Sequence, residues 1–146
     1  MTHALPDPVR HAAFYQGVAV KRAFAWVIDS AITGMIVLLI VPFTAFLALL
    51  IFPILFGVVN LAYRCATLAN FSATPGMWLL GIEFRQGDGS RLDAATAVLH
   101  TLGTMFTWTM VVPQVASAGL MAMHPRGQGL TDLVLGTVAI RRPGAA

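Results

Sequence analysis

Charged residues are scarce in this sequence. Lysine and arginine together number nine and the acidic residues number six, so charged residues make up 10% of the chain and hydrophobic residues 58%. Soluble globular domains carry about 25% charged and about 45–50% apolar residues. So few charges cannot cover a water-facing surface without leaving large apolar patches. The composition excludes an ordinary soluble enzyme and a disordered chain, and it indicates an integral membrane protein in contact with the lipid bilayer.

Other absences narrow the function further. Cys65 is the single cysteine, which excludes an intrachain disulfide. The basic residues are spread along the chain instead of clustered, so we expect no nucleic-acid partner. There is no glycine-rich phosphate loop and no nucleophile elbow, and His100 and His124 are too isolated to predict a metal site. We therefore expect no enzyme, cofactor or metal centre.

Long stretches without charge predict the membrane spans. No charged residue lies between Asp29 and Arg64, and one spanning helix needs about 20 residues. Pro42 lies near the middle of the stretch, where it would break a helix. The pattern predicts a first helix at about 20–41, a tight turn, and a second helix at about 43–64 that an internal proline kinks.

The second half of the chain is less regular. Residues 65–93 are polar and rich in turn signals, which predicts a loop facing the cytoplasm. The uncharged region 94–123 predicts either one long span or a helical hairpin broken near Pro113. The segment 124–146 is polar and glycine-rich at its start. The fold class is thus an all-α integral membrane protein in a single domain, 1–146.

Basic residues predict the orientation. The segments 1–23, 64–93 and 124–146 each carry three basic residues, whereas the turn near Pro42 has none. The positive-inside rule then places all three segments in the cytoplasm of a bacterial inner-membrane protein. An even number of crossings within 94–123 is needed, which favours the hairpin. On the same side, residues 79–85 and 136–142 are predicted to pair as short strands.

Asp29 is a charged residue inside the predicted first helix, where placing it in the membrane costs free energy. A carboxylate deep in a membrane costs about 2.5–3.5 kcal/mol and needs a partner. Arg22 lies on the same face, about 10 Å along the axis, so both residues are expected to meet a third group. Ala25 and Thr33 flank Asp29 with a strip of small residues that would admit a close neighbour. Two interpretations remain: an ion or proton site, or an internal salt-bridge network that fixes helix packing.

Three segments of the chain carry a family resemblance. They read KRAFAWVID (21–29), ATPGMWLLGIEF (73–84) and GQGLTDLVLGTVAI (127–140). In this order they resemble the RDD family of small bacterial membrane proteins, and the likeness extends over about residues 15–142. The activity of that family is mostly unassigned, with transport or ion exchange suggested for some members.

The resemblance implies a set of site residues. The arginine and two aspartates that give the family its name correspond to Arg22, Asp29 and Asp132. The motif turn and glycines correspond to Thr74, Pro75, Gly76, Gly81, Gly136 and Thr137.

Two positions depart from the family pattern. Met77 stands where a lysine usually follows the TPG turn, and His100 is the nearest candidate for a basic residue common early in the third helical region. If that residue pairs with an acid, a histidine would make the contact titratable. Asp132 would either approach Arg22 or serve as a helix cap or turn residue.

Two function classes follow. In the first, the protein is a non-catalytic accessory or assembly subunit that docks on a larger inner-membrane complex, because so few helices leave little room for a substrate path. In the second, it is a homo-oligomeric transporter or cation/proton exchanger that uses Asp29. Anionic lipid at Lys21, Arg22 and Arg64 is compatible with either class.

Overall fold

The computed structural model describes residues 5–44 and 46–143. Over this part of the chain it has six α-helices and two short strands. In chain order they are α1 (Val18–Ile40), α2 (Phe52–Phe71), α3 (Pro75–Leu79), β1 (Ile82–Gln86), α4 (Ala94–Thr109), α5 (Val111–Met123), α6 (Leu130–Leu135) and β2 (Thr137–Arg141).

Helices α1 and α2 are long and apolar enough to cross a membrane. They contain 23 and 20 residues, or about 35 and about 30 Å of helix, against a hydrocarbon core of about 30 Å. The bent pair α4–α5 would add a third span if the two helices cross together. The chain is therefore largely helical, with two or three candidate membrane-spanning helices.

The second helix differs from the predicted 43–64, and the turn before it is not tight. The chain makes 3-10 turns at Pro42–Thr44 and Leu47–Leu49 before α2 begins at Phe52. Pro53 lies in the first turn of α2, where backbone N–H groups have no intrahelical partner. Since the missing N–H costs nothing there, Pro53 starts the helix and does not kink it.

The third helical region is broken three residues before the predicted position. Helix α4 ends at Thr109, α5 begins after Met110, and the direction changes by 116°. Pro113 still explains the break, because its ring clashes with the carbonyl four residues earlier, that of Thr109, and it cannot donate to it. A change of more than a right angle turns α5 back from the course of α4.

The two strands pair in antiparallel register, with Ile82 opposite Arg141. Strand β2 lies within the predicted segment 136–142, and β1 overlaps the predicted segment 79–85 and extends one residue beyond it. Strand β1 directly precedes α4, and β2 follows α5 and α6. The chain therefore leaves the β-pair through α4 and returns to it after α5.

The packed core lies at the end of the molecule that holds the β-pair. Val18, Leu68, Ile82 and Ala139 are completely buried there and belong to one apolar cluster with Phe84. In the second half of α1 and the first half of α2, many large apolar side chains face outward; they include Met35, Leu38, Leu39, Ile54 and Val58. We call the first region the core end and the opposite region the apolar end.

Candidate functional site

Asp29 lies on the buried face of α1 and is 1% exposed. Its Oδ1 accepts hydrogen bonds from the Tyr63 hydroxyl at 2.8 Å and from the Gly76 backbone N–H at 2.9 Å, and its Oδ2 accepts one from the Thr74 hydroxyl. Donors from α2 and from the start of α3 thus converge on one carboxylate. Asp29 ties three elements together.

The segment Thr74-Pro75-Gly76 folds as a helix start. Thr74 is the N-cap of α3 and its side chain accepts from the Met77 N–H, while Pro75 occupies the first turn. A Cβ at Gly76 would lie 2.4 Å from the Ala25 carbonyl oxygen, so only glycine allows this approach to α1. The small-residue strip beside Asp29 therefore receives the TPG turn.

Arg64 is the cation beside Asp29, although the contact is loose. Its Nη1 lies 3.9 Å from Asp29 Oδ2, beyond hydrogen-bond distance. The residue is 8% exposed, and its Nε has no hydrogen-bond partner. An unsatisfied buried donor costs about 1–3 kcal/mol, and more when it is charged. Arg64 thus offers a buried donor that the protein leaves unused.

Asp132 is the centre of a second network. Its Oδ2 accepts from Arg22 Nη1 and from the Gly129 N–H at 2.9 Å. Its Oδ1 lies 2.8 Å from His100 Nε2 and 3.3 Å from the Thr137 hydroxyl. Burial alone would raise the pKa of this carboxyl, but the Arg22 charge and the His100 contact hold it below the ordinary value. The aspartate is an anion between two helices and the tail.

The contacts of Asp132 bear on both interpretations of this residue. It approaches Arg22, and it also caps α6, because it is the third helical residue and accepts from the N–H of Gly129 at the N-cap. Arg22 and Asp29 do not share a third group as predicted: each has its own partners. Helix α6 lies beside Arg22 near the start of α1, and the TPG turn lies beside Asp29, a turn or two further along α1. The two charged residues are therefore contacted by different elements.

Phe84 on β1 completes the second network. The Arg22 guanidinium carbon lies 5.0 Å from the centre of its ring, and the His100 ring lies 4.4 Å away. A cation over an aromatic face contributes about 0.5–2 kcal/mol. Strand β1 therefore packs against Arg22 and His100 through Phe84, and the β-pair also joins the central loop to the C-terminal segment.

The motif glycines Gly81 and Gly136 occupy turns. Their φ values of 66° and 65° fall in the left-handed region that favours glycine. Gly81 lies between α3 and β1, where its carbonyl accepts from the Arg142 N–H, and Gly136 ends α6 directly before Thr137. These glycines shape the frame around the charges.

A cavity of about 610 Å³ brings the two networks to one space. The arginines, carboxylates and histidine of the networks all line it, namely Arg22, Asp29, Arg64, His100 and Asp132. A second cavity of about 210 Å³ lies beside it, and Arg64 lines both. Trp26 on α1 stacks on Trp108 of α4 at 4.3 Å between ring centres, and both rings also line both cavities.

Sequence reasoning did not anticipate several of these residues. Tyr63 and Trp108 lie outside the three motif segments, Trp26 and Phe84 lie within them but were not predicted as site residues, and Arg64 was expected only as a lipid contact. Lys21 donates to the Leu80 carbonyl at 2.8 Å, so its ammonium already has a partner within the protein. Over residues 5–44 and 46–143, no group of three His, Cys, Asp or Glu residues could hold a metal ion.

Comparison with known proteins agrees with the motifs. The RDD family profile matches residues 17–136, a range that contains α1, both buried carboxylates and the TPG turn. No curated protein and no solved structure matches the chain. The match covers most of the sequence, and the chain belongs to the RDD family.

Proposed function

We propose that this RDD protein is a non-catalytic accessory or assembly subunit that docks on a larger complex of the bacterial inner membrane. The observation that carries the proposal is the full engagement of both buried carboxylates. Asp29 accepts from three donors and Asp132 contacts four. A buried carboxylate that contacts several donors from different elements fixes how those elements pack against each other.

A cation carrier needs the opposite arrangement. A carboxylate that binds and releases an ion or proton must exchange its partners, and here each exchange would break several buried hydrogen bonds at about 1–3 kcal/mol for each group left unpaired. Asp29 would also release the TPG turn, because its bonds to Thr74 and Gly76 hold that turn on α1. The contacts favour a structural role for these charges.

The apolar end supplies a surface for docking. The segment 41–51 between α1 and α2 contains no charged residue. Phe43 is 90% exposed and Leu50 79% exposed. Connecting segments at a membrane surface usually carry polar residues, and an exposed apolar patch commonly marks an interaction site. We place the contact with the larger complex here.

The arrangement of the core end supports the proposed orientation. Arg141 Nε donates to the Gln16 carbonyl at 3.0 Å, and Arg22 contacts Asp132, so the start of α1 and the tail lie together. Basic residues of three chain segments meet at this end. By the positive-inside rule we assign it to the cytoplasm, with the N-terminus, and the segment 41–51 to the outer side.

Cysteine labelling tests this orientation. In a Cys65→Ser background, Phe43→Cys and Pro143→Cys place one thiol at each end, and both native residues are exposed. In intact cells that produce the chain in excess over the larger complex, so that segment 41–51 is uncovered, a membrane-impermeant reagent should label the cysteine at 43 and not that at 143. Labelling at 143 from outside would overturn the orientation.

Extraction under mild conditions tests the accessory role. The tagged chain should leave its native membrane in a complex much larger than itself and at fixed stoichiometry. A photo-crosslinking residue at Phe43 should capture a component of that complex, whereas the same residue at exposed Arg91 on the core end serves as control. A small homo-oligomer without partners would contradict the proposal.

One observation favours the second candidate function, a homo-oligomeric cation/proton exchanger. The cavity of about 610 Å³ is lined by two carboxylates and a histidine, a combination found in proton and ion paths. Asp29→Asn decides between the two. In reconstituted vesicles it should abolish ion-driven proton movement if the protein is an exchanger. In the accessory role it weakens assembly or thermal stability, and no such transport exists in the wild-type protein.

A further inference from the structure

The larger cavity has an apolar entrance between α1 and α5. Val20 and Val27 on α1 line the cavity and are 61% and 55% exposed, and Ala118 and Ala122 on α5 line it and are exposed too. Exposed apolar residues on helices of this kind face acyl chains and not water. The cavity therefore opens toward the bilayer.

The size of the cavity suits a substantial ligand. Pockets that bind small molecules measure about 300–1,000 Å³, and this one measures about 610 Å³. Its α1 and α5 walls include the small side chains of Ala19, Ala23 and Ala118, which leave room for a flexible chain. A ligand that enters from the bilayer must be apolar over most of its length.

Among the residues that the structure describes, two buried side-chain nitrogens on the polar wall of the same cavity have no hydrogen-bond partner, Arg64 Nε and His100 Nδ1, and Arg64 Nε is the one that belongs to a guanidinium. Arg22 is paired with Asp132, and Lys21, outside the cavity lining, is bonded to the Leu80 carbonyl. Arg64 has an unpartnered Nε and only a 3.9 Å ion pair to Asp29. A guanidinium nine-tenths buried requires an acceptor, and an oxygen of a phosphate or carboxylate supplies the strongest one.

We propose that the cavity binds a membrane lipid with an anionic headgroup, whose anionic oxygen accepts from Arg64 while an acyl chain leaves between α1 and α5. The anionic oxygen is the recognised chemistry, and a free phosphate offers it as well. The apolar entrance and the small-residue walls favour the lipid. The site is independent of the accessory role, since it needs no partner protein.

Native mass spectrometry of the detergent-solubilised protein tests the site. Phosphatidylglycerol, diacylglycerol with the same acyl chains and no phosphate, and inorganic phosphate are titrated separately. We expect phosphatidylglycerol to bind at least tenfold more tightly than the other two. Arg64→Gln should remove that preference, and Arg91→Gln, a charge change at an exposed position outside the cavity, should leave it intact. Equal binding of both lipids, or tight binding of phosphate alone, would overturn the proposal.

A pair of α5 variants keeps the test informative if Arg64→Gln fails to fold. Ala118 lines the cavity, and Ala116 on the same helix is exposed and outside it. Ala118→Phe should fill the space and reduce phosphatidylglycerol binding at least tenfold, while Ala116→Phe should bind as the wild type does. Unchanged binding by Ala118→Phe would show that the lipid lies elsewhere.

Discussion

The two buried carboxylates of this protein meet the same physical requirement in different ways. Asp29 is stabilised by neutral donors, two hydroxyls and one backbone N–H, with the Arg64 guanidinium at 3.9 Å. Asp132 contacts a guanidinium directly, through Arg22, and an imidazole, through His100. Both are buried, at 1% and 0% exposure. One site separates the opposite charges, and the other joins them.

This difference determines whether the arginine near each carboxylate keeps a hydrogen-bond donor without a partner. At Asp132 the Arg22 guanidinium contacts the carboxylate directly, so its charge is already paired within the core end. At Asp29 the hydroxyls and the amide stabilise the carboxylate, and Arg64 keeps an unpartnered Nε beside the cavity. Neutral donors at an anion therefore leave the nearby cation available for binding.

Loss of the Asp132 charge should have the largest effect. Asp132→Asn leaves the partly buried Arg22 guanidinium without its anion, and breaking a fully buried pair costs about 3–5 kcal/mol, which is the upper bound here. We expect a large drop in melting temperature, measured by tryptophan fluorescence in detergent. Asp93→Asn is the matched control, because Asp93 is an exposed N-cap of α4 and asparagine caps equally well. Similar melting temperatures for the two variants would contradict the closed ion pair.

A methyl group at Gly76 should have the next largest effect. Its Cβ would lie 2.4 Å from the Ala25 carbonyl oxygen and 2.8 Å from Asp29 Oδ1, so Gly76→Ala forces the TPG turn away from α1. Overpacking of this kind costs about 1–3 kcal/mol. Gly119→Ala on α5 is the control, because no atom lies within 4 Å of the added Cβ. A stable Gly76→Ala protein would show that the turn is not clamped on α1.

Much of the helical framework could be predicted, because it depends on local patterns. Helix α1 was expected at 20–41 and lies at Val18–Ile40, and the bounds 94–123 enclose α4 and α5 together. The failure was α2. In a uniformly apolar stretch, a proline that breaks a helix and one that starts it look alike, and composition could not show that Pro53 begins α2.

That misplaced helix explains why half of the site was missed. The predicted second helix ended at residue 64, whereas α2 continues to Phe71 and carries Tyr63 and Arg64 inside it, opposite Asp29. By contrast, the approach of Asp132 to Arg22 followed from pairing the strands, which brings the tail to the start of α1. Contacts that depend on helix register could not be derived, and contacts that depend on strand pairing could.

The Asp29 network can be weakened without removing a charge. Thr74→Ala removes one hydroxyl donor to Asp29 and the N-cap of α3, which together should cost about 1–2 kcal/mol. Thr74→Ser keeps the hydroxyl and should restore most of the melting temperature. A serine variant as unstable as the alanine variant would assign the effect to the lost methyl group and not to the hydrogen bond.

The smallest expected effect is the acid dependence of the Asp132 pair. The pKa of this carboxyl is lowered in the folded protein, although burial opposes the shift, because Arg22 and His100 favour the anion. Below the unfolded pKa of about 3.9 the unfolded chain binds the proton first, so stability from this group is lost as the pH falls. The difference in melting temperature between wild type and Asp132→Asn should not shrink between pH 7 and about pH 5 and should shrink below about pH 4. A difference that already shrinks between pH 7 and about pH 5 would mean that the Asp132 carboxylate is not held as an anion by Arg22 and His100.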